Sequence, residues 1–310
     1  MGSKKIVYRL LSFGLLLLAA PSLLGAQVTG KKALTHDDYD IWKSISGRAL
    51  ANNGDWIAFT ISPREGDGVM TLRSLSGGTA RVVEVDRASG PRMTPDSRFL
   101  VFTIDPMHAV VDSLEDADAD RDEMPKDSLG VIDLSSAFGG GSFNADFFRA
   151  ERVQNWKTPA DEGSYLAYLL EPEEEEPDST AEGEEAEEEA PARAGRGGGR
   201  PGGAGRGGGQ EGEGPEERDK DEGDVLVFRD LRSGEETRFE DVTNYYFTDE
   251  GAWLVYTASN EDGTADGVYA VRTSSAEATP ILTGEGEYSS VALADNGDQV
   301  AFLTNRDDWE

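Results

Sequence analysis

The chain has 310 residues, of which 37% are hydrophobic and 29% are charged, and 37 of them are glycine. Because glycine is unusually common, we expect part of the chain to stay outside any packed core. The formal net charge of −32 excludes nucleic acid and anionic membrane surfaces as expected partners, since both would repel the chain.

The N-terminal segment is typical of a secretory signal peptide. A basic stretch ending at Arg9 precedes an apolar run over residues 10–24, and cleavage is expected after Ala26. The alternative is an uncleaved anchor, but roughly 15 apolar residues are fewer than the ~20 that span a bilayer. The sequence contains no cysteine, which excludes an acylated cysteine and a disulfide framework. We therefore predict a secreted or periplasmic protein, with residues 1–26 removed and no membrane attachment afterwards.

A short helix is predicted next in the chain. Thr35 can cap it with Asp38 three residues later, and Tyr39, Trp42 and Ile45 would then share one face. We expect this helix to lie over the edge of the first β-unit.

Five segments then follow one pattern: Asn or an acidic residue, Gly or Ser, a variable residue, an aromatic, an aliphatic, a small apolar residue and an aromatic. The segments are residues 53–59, 96–102, 162–168, 250–256 and 296–302. Only the fifth departs, with Gln299 in the first aromatic position. The Asn/Asp/Glu-Gly pair is typical of a tight turn, because Gly accepts a positive φ. The apolar run that follows predicts a strand covered on both faces.

The spacing of these segments predicts an all-β fold, a β-propeller with WD-like or TolB-like blades. The first two segments are about 43 residues apart and the last two about 46, close to the ~40–45 residues of a four-stranded blade. Further strand candidates lie between the segments, at residues 69–75, 129–134, 225–231 and 268–272. The recurring Ala or Val would let neighbouring blades approach closely. We predict an incomplete propeller over residues 34–310, with another all-β fold such as a sandwich as the alternative.

Two insertions explain the longer intervals between segments. One is an acidic stretch around residues 112–127, and the other is a tract over residues 171–223, acidic at first and then rich in Gly and Arg. The acidic half repels itself, and the half rich in Gly and Arg has few apolar side chains to bury, so we predict a disordered surface loop. Its Arg-Gly repeats are similar to RNA-binding sequences, but no aromatic residue is interleaved for stacking, and we predict no nucleic-acid binding.

The acidic stretch also contains the alternating carboxylates of a calcium loop. Asp116, Asp118 and Asp120 have the spacing of its ligands, and Asp127 stands at its twelfth position. However, Arg121 occupies the sixth position, where an EF-hand needs Gly for a sharp turn. We therefore interpret the stretch as a solvated acidic loop and predict no metal site.

The sequence offers little for catalysis. The stretch around Ser142 fails as a nucleophile elbow because Asn144 takes the place of the final Gly. The two histidines, His36 in the leading helix and His108 in a predicted loop, are expected to be surface residues rather than general bases. Two histidines without cysteine do not form a usual zinc ligand set. We predict no catalytic residue, cofactor site or metal site in this chain.

Several segments occur in a distinctive order. They are Leu34-Thr35 with Asp38-Tyr39 and Trp42, then Asn53-Gly54-Asp55-Trp56, Thr94-Pro95-Asp96-Ser97, Met124-Pro125-Lys126-Asp127-Ser128-Leu129, and the acidic, Gly-rich insertion after Glu171. In this order they resemble the N-terminal propeller of secreted bacterial peptidases of the prolyl oligopeptidase family, of the dipeptidyl or acylaminoacyl peptidase type. The turn motif is shared with TolB-type periplasmic propellers, whereas the leading helix and residues 126–129 are more particular to the peptidases.

The resemblance implies a serine peptidase in which a propeller caps an α/β-hydrolase domain and admits only peptides or flexible segments. The family's Ser, Asp and His match no residue of this sequence, which ends shortly after the fifth segment. We therefore expect a truncated product that supplies the non-catalytic, substrate-gating portion of an exported peptidase. Peptide substrates would be its partners through the missing hydrolase domain. The alternative is a periplasmic binding or scaffold propeller without an enzyme partner.

Overall fold

The computed structural model describes residues 34–40, 42–76, 81–136, 147–172, 222–294 and 297–308. The predicted signal peptide, nearly all of the tract over residues 171–223 and the stretch around Ser142 lie outside these residues. The chain divides into two compact units, Met1–Trp42 and Lys43–Glu310.

The first unit contains helix α1, Asp37–Asp40. Thr35 donates hydrogen bonds from its amide and its hydroxyl to the Asp38 carboxylate, over 2.8 and 2.9 Å. The predicted cap and short helix are therefore confirmed. The expectation that Ile45 shares a helical face is wrong, because residues 43–50 pair along their length with the next strand.

The second unit is built from antiparallel strands. They are β1 (Lys43–Leu50), β2 (Trp56–Pro63), β3 (Val69–Ser74), β4 (Val82–Asp86), β5 (Ala88–Met93), β6 (Phe99–Ile104), β7 (Ser128–Asp133), β8 (Phe148–Ala150), β9 (Val153–Lys157), β10 (Tyr165–Leu170), β11 (Asp224–Asp230), β12 (Glu236–Phe247), β13 (Trp253–Ala258), β14 (Gly267–Arg272), β15 (Glu277–Thr283), β16 (Tyr288–Leu293) and β17 (Val300–Thr304). Short 3-10 helices lie at Arg121–Glu123 and Arg306–Asp308.

These strands form successive blades in chain order. Strands β1–β4 form blade 1 and β5–β8 form blade 2, each as a four-stranded meander. Strands β9–β15 are continuous in hydrogen bonding, but the 12-residue β12 belongs to two blades. Its first half pairs with β11 in blade 3, and its second half, from Val242, pairs with β13 in blade 4. Strands β16 and β17 form blade 5.

A single residue turns the chain from one blade into the next. Arg87, Arg152 and Asp241 lie at the first three of these crossings and have φ values of 59°, 55° and 59°. Non-glycine residues seldom adopt positive φ, so a recurrence at equivalent positions marks a repeated structural device. The crossing within β12 is therefore the same device as the two between separate sheets.

The predicted turns of the five repeats are confirmed. Each precedes the second strand of its blade, and its Gly or Ser has positive φ: Gly54 75°, Ser97 59°, Gly163 91°, Gly251 67° and Gly297 70°. The chain therefore uses the left-handed region wherever the pattern predicts it, including once at a serine.

The repeat strands bury both of their faces, and in each blade the same positions of the repeat face the next blade. In blade 2, Leu100 and Phe102 pack into a core shared with blade 1, whereas Phe99 and Val101 pack into a core shared with blade 3. The other repeats follow the same rule: Ala58 packs toward blade 2, Ala167 toward blade 4 and Val255 toward blade 5. The small residue of the repeat thus always faces the next blade, as expected for face-to-face packing.

The same rule accounts for the exception at Gln299. Its position faces away from blade 4, and its side chain is exposed, as is Ala301 on the same face. Val300 and Phe302 on the opposite face pack against blade 4. An aromatic residue at position 299 would gain no buried contact among the described residues.

Helix α2, His108–Glu115, corrects two expectations. His108 begins this helix rather than lying in a loop, and the stretch interpreted as an acidic loop is partly helical. The stretch is highly charged but compatible with a helix, and His108 pairs with Asp112 one helical turn later at 2.8 Å.

Within the described ranges, no helix has the length and apolar character needed to cross a membrane. The architecture of the second unit is that of a β-propeller: antiparallel blades stacked face to face about a common axis.

Candidate functional site

The inner strands of the propeller form the candidate site. They are the first strand of each blade, namely β1, β5, β9, the second half of β12 and β16. Many of their side chains are exposed although the strands lie at the centre of the fold, for instance Gln154 and Asn155 in β9 and Ser289 and Ser290 in β16. In a propeller, such strands line a central channel, which can bind ligands or admit solvent.

Each inner strand departs once from regular pairing with its neighbour. The irregularities lie between residues 46 and 49, 89 and 92, 153 and 155, 242 and 244, and 289 and 292. A β-bulge bends its strand and changes the direction of a side chain. Five bulges at equivalent places therefore shape the axial surface in every blade.

Contacts between inner strands hold them close together. A Cβ atom at Gly47 would lie only 2.8 Å from Cδ of Pro91 in the next blade, so only Gly fits there. Between blades 3 and 4, the hydroxyl of Tyr245 lies 2.7 Å from Oδ1 of Asn155. Tyr245 is 1% exposed, and its burial raises its pKa. The hydroxyl therefore stays protonated and acts as a fixed donor.

A cavity of about 480 Å³ opens between blades 3, 4 and 5. Gln154, Thr243, Asn244, Ser289 and Ser290 give it an amide- and hydroxyl-rich wall. Three carboxylate residues also line the cavity, and all three lie outside the inner strands: Glu222, Asp224 and Glu287. The volume falls within the ~300–1,000 Å³ range of ligand pockets. Hydroxyl and amide groups of this kind can hydrogen-bond to a peptide backbone.

The inner strands carry the opposite charge to the rest of the chain. Acidic residues outnumber basic ones by 61 to 29 overall, yet the inner strands contain no acidic residue. Their charged residues are Lys43, Arg48, Arg92 and Lys157. The axial surface is therefore a cationic lining within an anionic protein.

Lys157 is the most enclosed of these cations. Its Nζ donates to the carbonyl oxygen of Tyr245 at 2.5 Å and lies 4.5 and 4.6 Å from the ring centres of Tyr245 and Tyr246. Burial lowers the pKa of Lys157, because no carboxylate among the described residues compensates for the loss of water. The side chain is thus a half-buried cation held by aromatic faces.

The turns that precede the second strands are linked from blade to blade. The Asn53 amide donates to Oγ of Ser97 at 3.1 Å, and the Asp161 amide donates to the carbonyl oxygen of Asp249 at 2.8 Å. Between blades 2 and 3, Asp96 accepts hydrogen bonds from Ser164 and from Arg232 at 2.5 and 2.9 Å. These turns form one continuous end of the propeller.

Both insertions start from strands at the opposite end of the propeller. The connections between the second and third strands of blades 2 and 3 hold residues 105–127 and 171–223. Burial raises the pKa of Asp127, and the negative charges of Asp105 and Glu171 raise it further. Like charges therefore meet where the two connections leave their blades, and protonation of Asp127 relieves that repulsion.

Neither of the two histidines belongs to an inner strand. His36 lies in the first unit, where its ring centre is 6.0 Å from that of Tyr39. His108 donates its amide to Asp67 and pairs with Asp112. Within the part of the chain that the structure describes, neither histidine is hydrogen-bonded to a hydroxyl group. In those residues, no group of three or more metal-ligating side chains is close enough to hold an ion.

Among known proteins, similarity is found in solved structures. No family model matches the sequence, and no curated protein matches it. The chain is similar to Pyrococcus horikoshii acylaminoacyl peptidase, with 10% identity and a TM-score of 0.40 over 81% of this chain and 34% of that one. It is similar to the propeller domain of the Trilobed protease from Pyrococcus furiosus, with 9% identity and a TM-score of 0.37 over 86% and 69%. TolB from Acinetobacter baumannii matches with 12% identity and a TM-score of 0.32 over 83% and 48%.

Sequence reasoning missed the cationic lining. Lys157 and Arg92 are single basic residues in ordinary strand sequences, and their significance depends on which strand of the blade is innermost. One signal was available: the inner-strand sequences, residues 43–50, 88–93, 153–157, 242–247 and 288–293, contain no acidic residue in a chain that is otherwise rich in them.

Proposed function

We propose that this chain is the non-catalytic, substrate-gating propeller portion of an exported serine peptidase of the prolyl oligopeptidase family, which acts on peptides. The observation that carries the proposal is the axial surface: five bulged inner strands with exposed polar side chains, opening into a cavity of about 480 Å³ between blades 3, 4 and 5. Such a surface offers hydrogen-bonding groups to an extended peptide and excludes a folded domain by size.

The sequence resemblance supports the enzyme partner. The motif at residues 94–97 forms the turn that joins blade 2 to blades 1 and 3. Residues 124–129 lead from the 3-10 helix into β7, where the Asp127 carbonyl oxygen accepts the Val153 amide at the start of blade 3. Both motifs therefore occupy positions where blades meet. The chain spans 34% of the acylaminoacyl peptidase it matches, so hydrolysis is proposed only for a longer protein. Export by a signal peptide cleaved after Ala26 is part of the same proposal.

The decisive experiment uses the complete coding region. We expect a Gly-x-Ser-x-Gly elbow within the next few hundred codons. We expect the purified full-length protein to hydrolyse a short fluorogenic peptide, but to leave the same sequence intact inside a folded protein. The 310-residue chain alone should neither turn over the peptide nor react with a fluorophosphonate. An open reading frame that closes the propeller and then stops would favour the binding or scaffold protein instead.

A further inference from the structure

Arg92 and Lys157 occupy the same place in neighbouring blades. Arg92 pairs with Val101 and Lys157 pairs with Ala167, and both partners are the small residue of the repeat, which faces the next blade. Tyr246 pairs with Val255, the corresponding residue of blade 4. The inner strands of blades 2, 3 and 4 therefore present a guanidinium, an ammonium and a phenol at one level of the axial surface.

Within the described residues, neither cation is neutralised. Among the described residues, no carboxylate forms an ion pair with Arg92 or Lys157, although acidic residues are abundant elsewhere. Arg92 is exposed, and the Lys157 ammonium has one hydrogen-bond acceptor, the Tyr245 carbonyl oxygen. An ammonium carries three donors. Two donors of Lys157 and the guanidinium of Arg92 are thus available to an incoming acceptor.

We propose that Arg92 and Lys157 together bind the carboxylate groups of a peptide, either acidic side chains or a C-terminal carboxylate, on the axial surface. A carboxylate there would supply the charge partner that the inner strands lack. Hydrogen bonds between ionised groups are roughly twice as strong as neutral ones. The aromatic faces of Tyr245 and Tyr246 hold the Lys157 ammonium in place before the peptide arrives, which lowers the entropy lost on binding.

This inference deepens the gating proposal by naming a class of peptide, and it rests on that proposal only in taking the ligand to be a peptide. The test measures binding to the intact 310-residue chain, without hydrolysis. A fluorescein-labelled nonapeptide with four Glu residues is titrated by fluorescence anisotropy beside the same peptide with Gln at those positions and an amidated C-terminus. We expect the Glu peptide to bind at least ten-fold more tightly, and its affinity to fall as NaCl is raised.

Variants then locate the site. Lys157→Gln and Arg92→Gln should each weaken binding of the Glu peptide about ten-fold, because each removes a charge-assisted hydrogen bond, whereas Lys157→Arg should retain most of the affinity. The matched control is Lys126→Gln, which removes the same charge from the connection between β6 and β7, outside the inner strands; it should change affinity less than two-fold. Far-UV circular dichroism checks that Arg92→Gln, an exposed substitution, leaves the fold intact.

Three results would overturn the inference: equal binding of the Glu and Gln peptides, no binding of either at millimolar concentration, or an equal loss in Lys126→Gln. The gating proposal fails separately, through the absence of a hydrolase domain from the coding region. Binding that depends on Lys157 in a chain without such a domain would preserve this inference alone.

Discussion

Asp96 joins blades 2 and 3 through its side chain. Its side chain is 21% exposed, and Oδ2 receives hydrogen bonds from Ser164 and Arg232 in blade 3, while Oδ1 receives one from Thr94 in its own blade. Burial raises the pKa of Asp96, but hydrogen bonds from Ser164, Thr94, the Arg98 amide and Arg232 together bring it below the ordinary value of 3.8. The ionised form is therefore the one that the fold stabilises.

The lowered pKa of Asp96 determines how its contribution to stability depends on pH. A carboxyl whose pKa is lower in the folded state contributes stability above its unfolded pKa, ~3.9, and loses it as the pH falls through the folded value. We expect Asp96→Asn to lower the free energy of unfolding by about 1–2 kcal/mol at pH 7, a range reduced because Arg232 is largely exposed. Urea unfolding should show this difference shrinking below about pH 4.

The control is Glu250→Gln at the equivalent turn position of blade 4. Glu250 is exposed, so its replacement should change stability by less than about 0.5 kcal/mol at every pH. If both variants lowered the free energy of unfolding equally, or if the decrease in Asp96→Asn did not change with pH, the role given to Asp96 would be contradicted.

The sequence predicts backbone conformation better than it predicts such contacts. The pattern indicated the positive φ at Gly54 and its equivalents, because a tight turn requires it locally. The Asp96–Arg232 pair joins residues 136 positions apart, and nothing in either local sequence indicates the other. The same holds for Gly130, where a Cβ would lie 2.4 Å from the Phe102 ring; only the strand register shows why glycine is needed there.

Strand β12 shows what determines an element in this fold. It runs through two blades because Asp241 turns the chain at positive φ without breaking the hydrogen-bonded ladder. The strand candidates predicted between the repeats are confirmed to within a residue or two, since apolar runs bounded by turns define them. The sequence analysis missed helix α2 because the many acidic residues of this stretch favoured the interpretation as a solvated loop. It missed the shared strand β12 because Asp241 turns the chain between blades without a glycine that would mark the position.

At the same scale, the tract over residues 171–223 is expected to be dispensable for folding. Strands β10 and β11 pair directly on either side of it, with Leu169 opposite Leu226, so a short linker can join them. Replacing residues 173–221 by a short Gly-Ser linker should leave the β-sheet circular dichroism unchanged and shift Tm by no more than about 3 °C, since loop length changes closure entropy only slowly.

A matched replacement in blade 4 should behave differently. There the connection is short, and Asp266, which is fully buried, accepts hydrogen bonds from the amides of Asn260 and Gly286. Replacing residues 260–265 by a linker of equal length should lower Tm more than the larger deletion does. A collapse of the β-sheet signal on removal of residues 173–221 would show that the tract belongs to the core.

At the scale of the whole molecule, the blades follow one another in chain order. The repeats predicted this order, because equal units that bury both faces must stack on their neighbours. The outward face of blade 1 shows what stacking leaves uncovered: Ile45, Leu50 and Val82 are 62%, 60% and 49% exposed, since their pairing places them on the face away from blade 2. The charge of the axial surface also belongs to this scale, because it exists only once the inner strands are brought together.

The most direct test of blade stacking is disulfide cross-linking, which the absence of native cysteine makes unambiguous. Asn53→Cys with Ser97→Cys joins the turns of blades 1 and 2, and Asp161→Cys with Asp249→Cys joins those of blades 3 and 4. The residues of each pair are neighbours, because the Asn53 amide donates to Oγ of Ser97 and the Asp161 amide donates to the carbonyl oxygen of Asp249. After mild oxidation, mass spectrometry of the intact chain should show a disulfide in each pair, and none when Asn53→Cys is combined with Asp249→Cys. Cross-linking of the distant pair without the neighbouring pairs would contradict a propeller and favour a sandwich.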